Sequence, residues 1–116
     1  MKQDAFKMTL LFDFYGTLLT EKQQSYFDLY YNQDFSLGEI AEQEGISRQG
    51  VHDAINRAET ILQQMERTTG CVERMQQLRS IMDSIRCAAQ ELLQHSDIQV
   101  RQRAQEILSA ASSVKE

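Results

Sequence analysis

Apolar residues recur every three or four positions along nearly the whole chain, and the alternating pattern of a half-buried strand is absent. A period near 3.6 residues is that of an amphipathic helix, so the pattern predicts helices from end to end. The first spans about 8–17, with Leu11, Phe12, Tyr15 and Leu18 as its apolar face. The second opens at Thr20, where Thr20-Glu21-Lys22-Gln23 spells a capping box, and carries Tyr26, Phe27, Tyr30 and Tyr31 inward. Asn32 to Asp34 ends it. A short third helix starts from a second capping box, Ser36-Leu37-Gly38-Glu39, and stops at Gly45, a residue suited to the left-handed conformation past a helix end. Ser47 caps a fourth helix, whose inner face is Val51, Ala54, Ile55, Ala58, Ile61, Leu62 and Met65. It runs to about Thr69, before Gly70.

Beyond Gly70 the pattern changes. Cys71, Met75, Leu78, Met82, Ile85, Ala89 and Leu92 follow in steps of four and three, the a/d rhythm of a coiled-coil seam. His95-Ser96-Asp97 breaks and recaps the chain, and Val100, Ala104, Ile107, Ala111 and Val114 repeat the rhythm. Two such seams joined by a short turn predict a helical hairpin, and a seam this regular packs either within one chain or against a second copy. The expected organisation is a head over 1–69 and a helical-hairpin tail over 70–116 that joins two copies as a homodimer.

Composition sharpens this division. The chain has 116 residues, five glycines and no proline, too few of both for the tight turns of a sandwich or barrel. All nine aromatic residues lie between Phe6 and Phe35, which gives the head a bulky core and leaves the tail to aliphatic packing. Cys71 and Cys87 fall within apolar helical patterns, and core positions are expected for both. Sixteen residues apart on one helix, they sit about 24 Å from each other, too far for a disulfide. The apolar stretch from Met8 to Tyr15 is broken by Asp13, so neither a secretory leader nor a membrane-spanning helix is expected, and the compartment expected is the cytoplasm. No metal-ligand spacing involves the cysteines or His52 and His95, and no cofactor or metal is expected.

The informative stretch is 35–57, FSLGEIAEQEGISRQGVHDAINR. A helix-turn-helix needs a small residue where its two helices cross, and Ala41 fills that position. It needs a glycine in the turn followed by an apolar residue, here Gly45 and Ile46, and inward residues on the second helix, here Val51 and Ile55. The polar side of that second helix then faces a nucleic-acid groove. The predicted nucleic-acid-binding set is Ser36, Ser47, Arg48, Gln49, His52, Asn56 and Arg57, with arginine and glutamine reading base edges and serine holding phosphate.

LLTEKQ, LYY, SLGEIA and the pattern SRQ-x-V-x-D-x-I-x-R, all within about the first 65 residues, resemble the YlxM family of bacterial helix-turn-helix proteins. The resemblance implies an all-α fold with a head of the winged-helix-like type that sigma factors use to read promoters, followed by a long-helix tail. It implies duplex DNA as partner, through Ser47, Arg48, Gln49, Asp53, Asn56 and Arg57, and a role in the signal recognition particle pathway. Gly50 and His52 stand where alanine and tyrosine are usual in the family.

Two features pull against simple readings. Asp13-Phe14-Tyr15-Gly16-Thr17-Leu18 mimics the nucleophile motif of haloacid dehalogenase-like hydrolases, which place that aspartate at the end of a parallel strand. No strand pattern surrounds it, so no catalytic residue is assigned and a non-enzymatic role is expected. Charge is the second. The chain carries 12 Lys and Arg against 17 Asp and Glu, a net of −5, and 36–57 alone holds two cations against four anions. Phosphate contacts usually dominate nucleic-acid affinity. Two functions are therefore expected as rivals: a DNA-binding regulator, and an accessory protein gripping the protein or RNA of the signal recognition particle without sequence-specific DNA binding.

Overall fold

A computed structural model describes residues 4–113, and these form six α-helices and one 3-10 turn, with no β-strand among them. The helices are α1 (Ala5–Tyr15), α2 (Glu21–Tyr31), α3 (Leu37–Glu44), α4 (Arg48–Thr69), α5 (Cys71–Leu92) and α6 (Ile98–Ser112), with the 3-10 turn Gly16–Leu18 after α1. The chain divides into two compact units between Val72 and Glu73.

In the first unit, α4 is the central element, and α1, α2 and α3 all pack against it. Its buried stripe is Val51, Ile55, Ala58 and Leu62, with Ala54, Ile61 and Met65 half-buried at its borders. Aromatic side chains fill the space between helices: Phe27 stacks on Phe12 at 4.5 Å between ring centroids and on Tyr31 at 4.4 Å. Offset stacking of this kind adds to the area these rings bury. Both capping boxes form as the sequence predicts. The Gln23 amide N–H donates to Thr20 Oγ1 at 3.2 Å and the Thr20 N–H returns to Gln23 Oε1 at 3.0 Å. Ser36 and Glu39 exchange the same pair of bonds, both at 3.0 Å.

Two expectations fail at the first helix, its start and the burial of Leu18. It begins at Ala5, because Asp4 accepts the Lys7 N–H at 3.2 Å and caps it a turn early. That brings Met8 into the core. At its other end the helix tightens into the 3-10 turn, where a residue advances about 120° instead of 100°. The extra rotation carries Leu18 out to 62 % exposure and puts Leu19 into the core in its place. Gly16 lets the Phe12 ring lie close against the turn, since a Cβ there would sit 3.1 Å from it. Asp13 is exposed on α1, as expected where no strand pattern surrounds it.

Two polar networks tie helices together inside this unit. The Tyr31 hydroxyl donates to Glu59 Oε2, and Glu59 is only 7 % exposed. The Tyr15 hydroxyl donates to Glu66 Oε1 at 2.7 Å and also bonds Thr69. The same Glu66 oxygen accepts the Val72 N–H at 3.1 Å, and Thr69 Oγ1 accepts the Cys71 N–H at 3.2 Å, so two orphan amides at the start of α5 are satisfied from α4. Burial raises the Tyr15 phenol above its ordinary value; the Thr69 bond opposes this and the neighbouring Glu66 carboxylate adds to it.

In the second unit, α5 and α6 are joined by the turn 93–97. Asp97 caps α6 by accepting the Gln99 N–H at 2.8 Å, and Arg101 donates back to the His95 carbonyl at 2.8 Å. The Arg86 guanidinium donates to the Ala111 carbonyl at 3.1 Å, bridging the two helices. Ala89, Ala104 and Ala111 are buried. The α5 seam is only partly covered: Ala89 is buried and Cys71, Met75 and Met82 are half-buried, while the seam residues Leu78, Ile85 and Leu92, and Ile81 beside them, are exposed, Leu78 at 61 %. Cys87 is exposed too, against the core position expected, because it lies away from the stripe that carries Met82 and Ala89; Cys71 is half-buried, and neither cysteine is in a disulfide. Val114, expected to close the last seam, lies outside the described residues. Among the described residues no helix is long and apolar enough to cross a membrane.

Candidate nucleic-acid interface

The stretch 36–57 folds as helix, turn and helix for local reasons. Gly45 takes φ 68°, ψ 32°, and its N–H returns to the Ala41 carbonyl, as does the Ile46 N–H at 3.1 Å. Nothing lies within 4 Å of a Cβ built there, so the glycine is required by backbone conformation and not by space. Ser47 Oγ then accepts the Gly50 N–H at 3.0 Å and caps α4. The reciprocal bond of a capping box is missing, because Gly50 has no side chain to return it.

Packing fixes the angle between the two helices. Leu37, Ile40 and Ala41 of α3 are buried against Val51 and Ile55 of α4, and the small Ala41 sits in the crossing as predicted. Ile46, expected to lock the turn, is 40 % exposed. The two amides returning to Ala41 close the turn, and the α3–α4 core holds the angle without it.

With Val51, Ile55 and Ala58 turned inward, α4 presents its first turns outward. Ser47, Arg48, Gln49, Asn56 and Arg57 are exposed and His52 is half-exposed. Ser36 is also exposed, but it belongs to the start of α3, where its hydroxyl is engaged as a cap. It comes together with Arg48 around a shallow pocket of about 330 Å³, whose other walls are Tyr30, Asp34, Phe35, Leu37 and Glu39. Among the described residues Arg48 makes no hydrogen bond or ion pair, so its guanidinium is available.

The acids of this surface do not all face away. Asp53 lies one turn beyond Gln49, and Gln49 Nε2 donates to Asp53 Oδ1 at 3.0 Å. His52 Nδ1 lies 3.4 Å from the same oxygen. The Gln49 bond, then the His52 contact, hold the Asp53 carboxyl below the ordinary aspartate range. Glu39 is likewise lowered, first by the Ser36 backbone N–H and then by its hydroxyl. Asp53 was legible from its four-residue spacing to Gln49. The burial of Glu59 has one signal in the sequence, an acid set between Ala58 and Leu62 of an apolar stripe. Among the described residues no three His, Cys, Asp or Glu side chains converge as metal ligands.

Comparison with known proteins converges on the same stretch and extends past it. Residues 2–104 match the profile of the family described as "Putative helix-turn-helix protein, YlxM / p13 like". A UPF0122 protein of Thermoanaerobacter sp. (strain X514) is 50% identical over 86 residues, 74% of each chain. One from Symbiobacterium thermophilum is 43% identical over 108 residues, 93% of this chain and 97% of that protein. One from Bacillus licheniformis is 50% identical over 80 residues, covering 69% and 75%.

Proposed function

The chain belongs to the YlxM / p13-like helix-turn-helix family, and from that premise we propose that it is a DNA-binding regulatory protein of the cytoplasm that sets the first turns of α4 in the major groove of duplex DNA. One observation carries this reading: Arg48, without a partner of its own, is exposed in the first turn of a helix held from behind by Val51 and Ile55. That turn is the part of a second helix that reaches base edges, and its positive dipole end favours phosphate. Ser47, Gln49, His52, Asn56 and Arg57 extend the surface along α4, and Ser36 borders it from α3. Binding of the full chain to duplex DNA, followed across a salt titration, tests it. Each phosphate neutralised contributes ~0.9 to the slope of log affinity against log salt, so two arginines per copy predict a shallow slope near 2 per copy. Arg48→Ala with Gln49→Ala should abolish sequence preference while the fold persists.

A second reading is favoured by charge. The segment 36–57 has a net charge of −2, and Asp53 lies within its outward face. Such a surface suits a partner that brings its own cations, and the signal recognition particle, through its protein or its RNA, is the assembly to which the family resemblance pointed. If the double variant keeps full affinity for duplex DNA but loses binding to the particle, this reading replaces the first.

For the tail we propose a homodimer joined through α5. Leu78, Ile81, Ile85 and Leu92 follow at gaps of three, four and seven residues, which fit the heptad of a coiled-coil seam, and such a seam is self-complementary. Paired recognition helices are also the usual arrangement of helix-turn-helix proteins on DNA. Sedimentation equilibrium at micromolar concentration tests this, a monomer counting against it.

A further inference from the structure

Asp53 is an awkward residue for a surface meant to meet phosphates, and its geometry gives it another task. A carboxylate without a proton can only accept hydrogen bonds, so the Gln49 nitrogen must face it. The amide oxygen of Gln49 is thereby turned away from the carboxylate, toward the open side of the helix. Two acceptors, Gln49 Oε1 and the outer oxygen of Asp53, then stand side by side on the exposed face, with the second Nε2 hydrogen of Gln49 as the pair's one remaining donor, and Arg48 is the preceding residue on the helix.

Base edges in the major groove differ in what they offer such a surface. Adenine and cytosine present amino donors, N6 and N4, while guanine O6 and N7 and thymine O4 are acceptors. Acceptor against acceptor leaves both lone pairs unsatisfied in a contact that excludes water. We infer that Asp53 is a positioning residue that orients Gln49, and that the pair selects the amino groups of adenine or cytosine, next to a guanine or phosphate held by Arg48. The inference rests on the proposal that α4 enters the major groove. It also accounts for an acid on that face: the carboxylate weakens binding to phosphate and gains a partner only where an amino group stands opposite.

The test is selection of the full-length protein on a library of random-sequence duplexes, followed by titration of the enriched duplex and its single base-pair variants at fixed salt. Wild type should enrich an adenine or cytosine at one position, with roughly five- to hundredfold loss when guanine or thymine replaces it. Asp53→Asn removes the charge and frees the Gln49 amide to turn over. It should flatten preference at that base pair and leave other positions as they were, and Gln49→Ala should flatten the same base pair. Melting temperatures of both variants should match wild type, since neither side chain is in the core. Should Asp53→Asn keep the wild-type preference, or raise affinity for all duplexes equally, the inference is overturned and the DNA-binding proposal stands. If wild type enriches no sequence at all, the DNA-binding proposal itself falls, and this inference with it.

Discussion

Removing the Tyr31 hydroxyl should unfold the first unit at a markedly lower temperature, and the size of the effect follows from where Glu59 sits. Its carboxylate, on α4, is 7 % exposed and accepts from Tyr31 on α2. Tyr31→Phe leaves the ring, its stacking on Phe27 and the surrounding volume in place, and takes away only the donor. A hydrogen bond to a charged group contributes ~1.5–3 kcal/mol, and stranding a buried charge costs up to ~3–5 kcal/mol. The small residual exposure of Glu59 allows some rescue by water, so ~2–3 kcal/mol is expected. In a unit of this size each kcal/mol moves the melting temperature by ~4–8 °C. The variant should therefore melt roughly 10–20 °C below wild type by circular dichroism. Tyr31→Phe with Glu59→Leu replaces both partners by apolar groups and should recover most of that loss, because the desolvation penalty disappears with the charge. If Tyr31→Phe melts within about 2 °C of wild type, well inside the shift of a single kcal/mol, the reasoning fails. It fails equally if the double variant is as unstable as the single one. Below its melting temperature Tyr31→Phe should bind duplex DNA as wild type does, since Glu59 is buried about three turns, roughly 16 Å, along α4 from Arg48.

Three further outcomes are expected. The Tyr15 phenol has a folded-state value above its unfolded one, so its contribution to stability is complete below about pH 10 and is lost as pH rises from there through the raised value; denaturant midpoints measured between pH 8 and 11 should fall, and in Tyr15→Phe they should fall less. Gly45→Ala forces a side chain into φ 68° and should cost ~1–2 kcal/mol in denaturant unfolding, with no compensating contact nearby. Leu78→Glu with Ile85→Glu, both at exposed positions, should convert a dimer to a monomer in sedimentation while helicity by circular dichroism is retained; loss of helicity instead would place the seam inside the fold.

The features legible in the sequence are those that short-range chemistry decides. Thr20 with Gln23, Ser36 with Glu39, and Gly45 past the end of α3 each specify their geometry within a few residues, and each forms as spelled. The Val51, Ile55, Ala58 and Leu62 stripe was equally clear, because a helix that crosses three others must keep one continuous apolar face. Leu18 was misplaced because a periodic reading assumes 100° per residue, and the 3-10 turn breaks that rule without a signal beyond Gly16. Ile46 and Cys87 show the same limit in another form: an apolar residue in register with a pattern is eligible for burial, but a neighbouring element must arrive to cover it.

The tail and the recognition face share one kind of ambiguity, in which pattern fixes the residues and not their partner. A repeat of 3.5 residues on α5 satisfies either a partner helix of the same chain or one from a second copy, and the exposure of Leu78, Ile81, Ile85 and Leu92 favours the second. On α4 the helix-turn-helix spacing fixes which side chains face outward, while their charges restrict what those side chains meet. With two arginines and Asp53 in the outward set, little of the binding free energy is available from phosphate neutralisation. Affinity must then come from matched base edges or from a cationic partner. These alternatives differ in their response to salt: matched edges keep their preference as salt rises, because hydrogen bonds to bases release few counterions, whereas attraction between charged surfaces is screened within about 10 Å at 0.1 M. If α4 enters DNA as proposed, the acid that weakens general adhesion to phosphate makes base preference the property that identifies the contact.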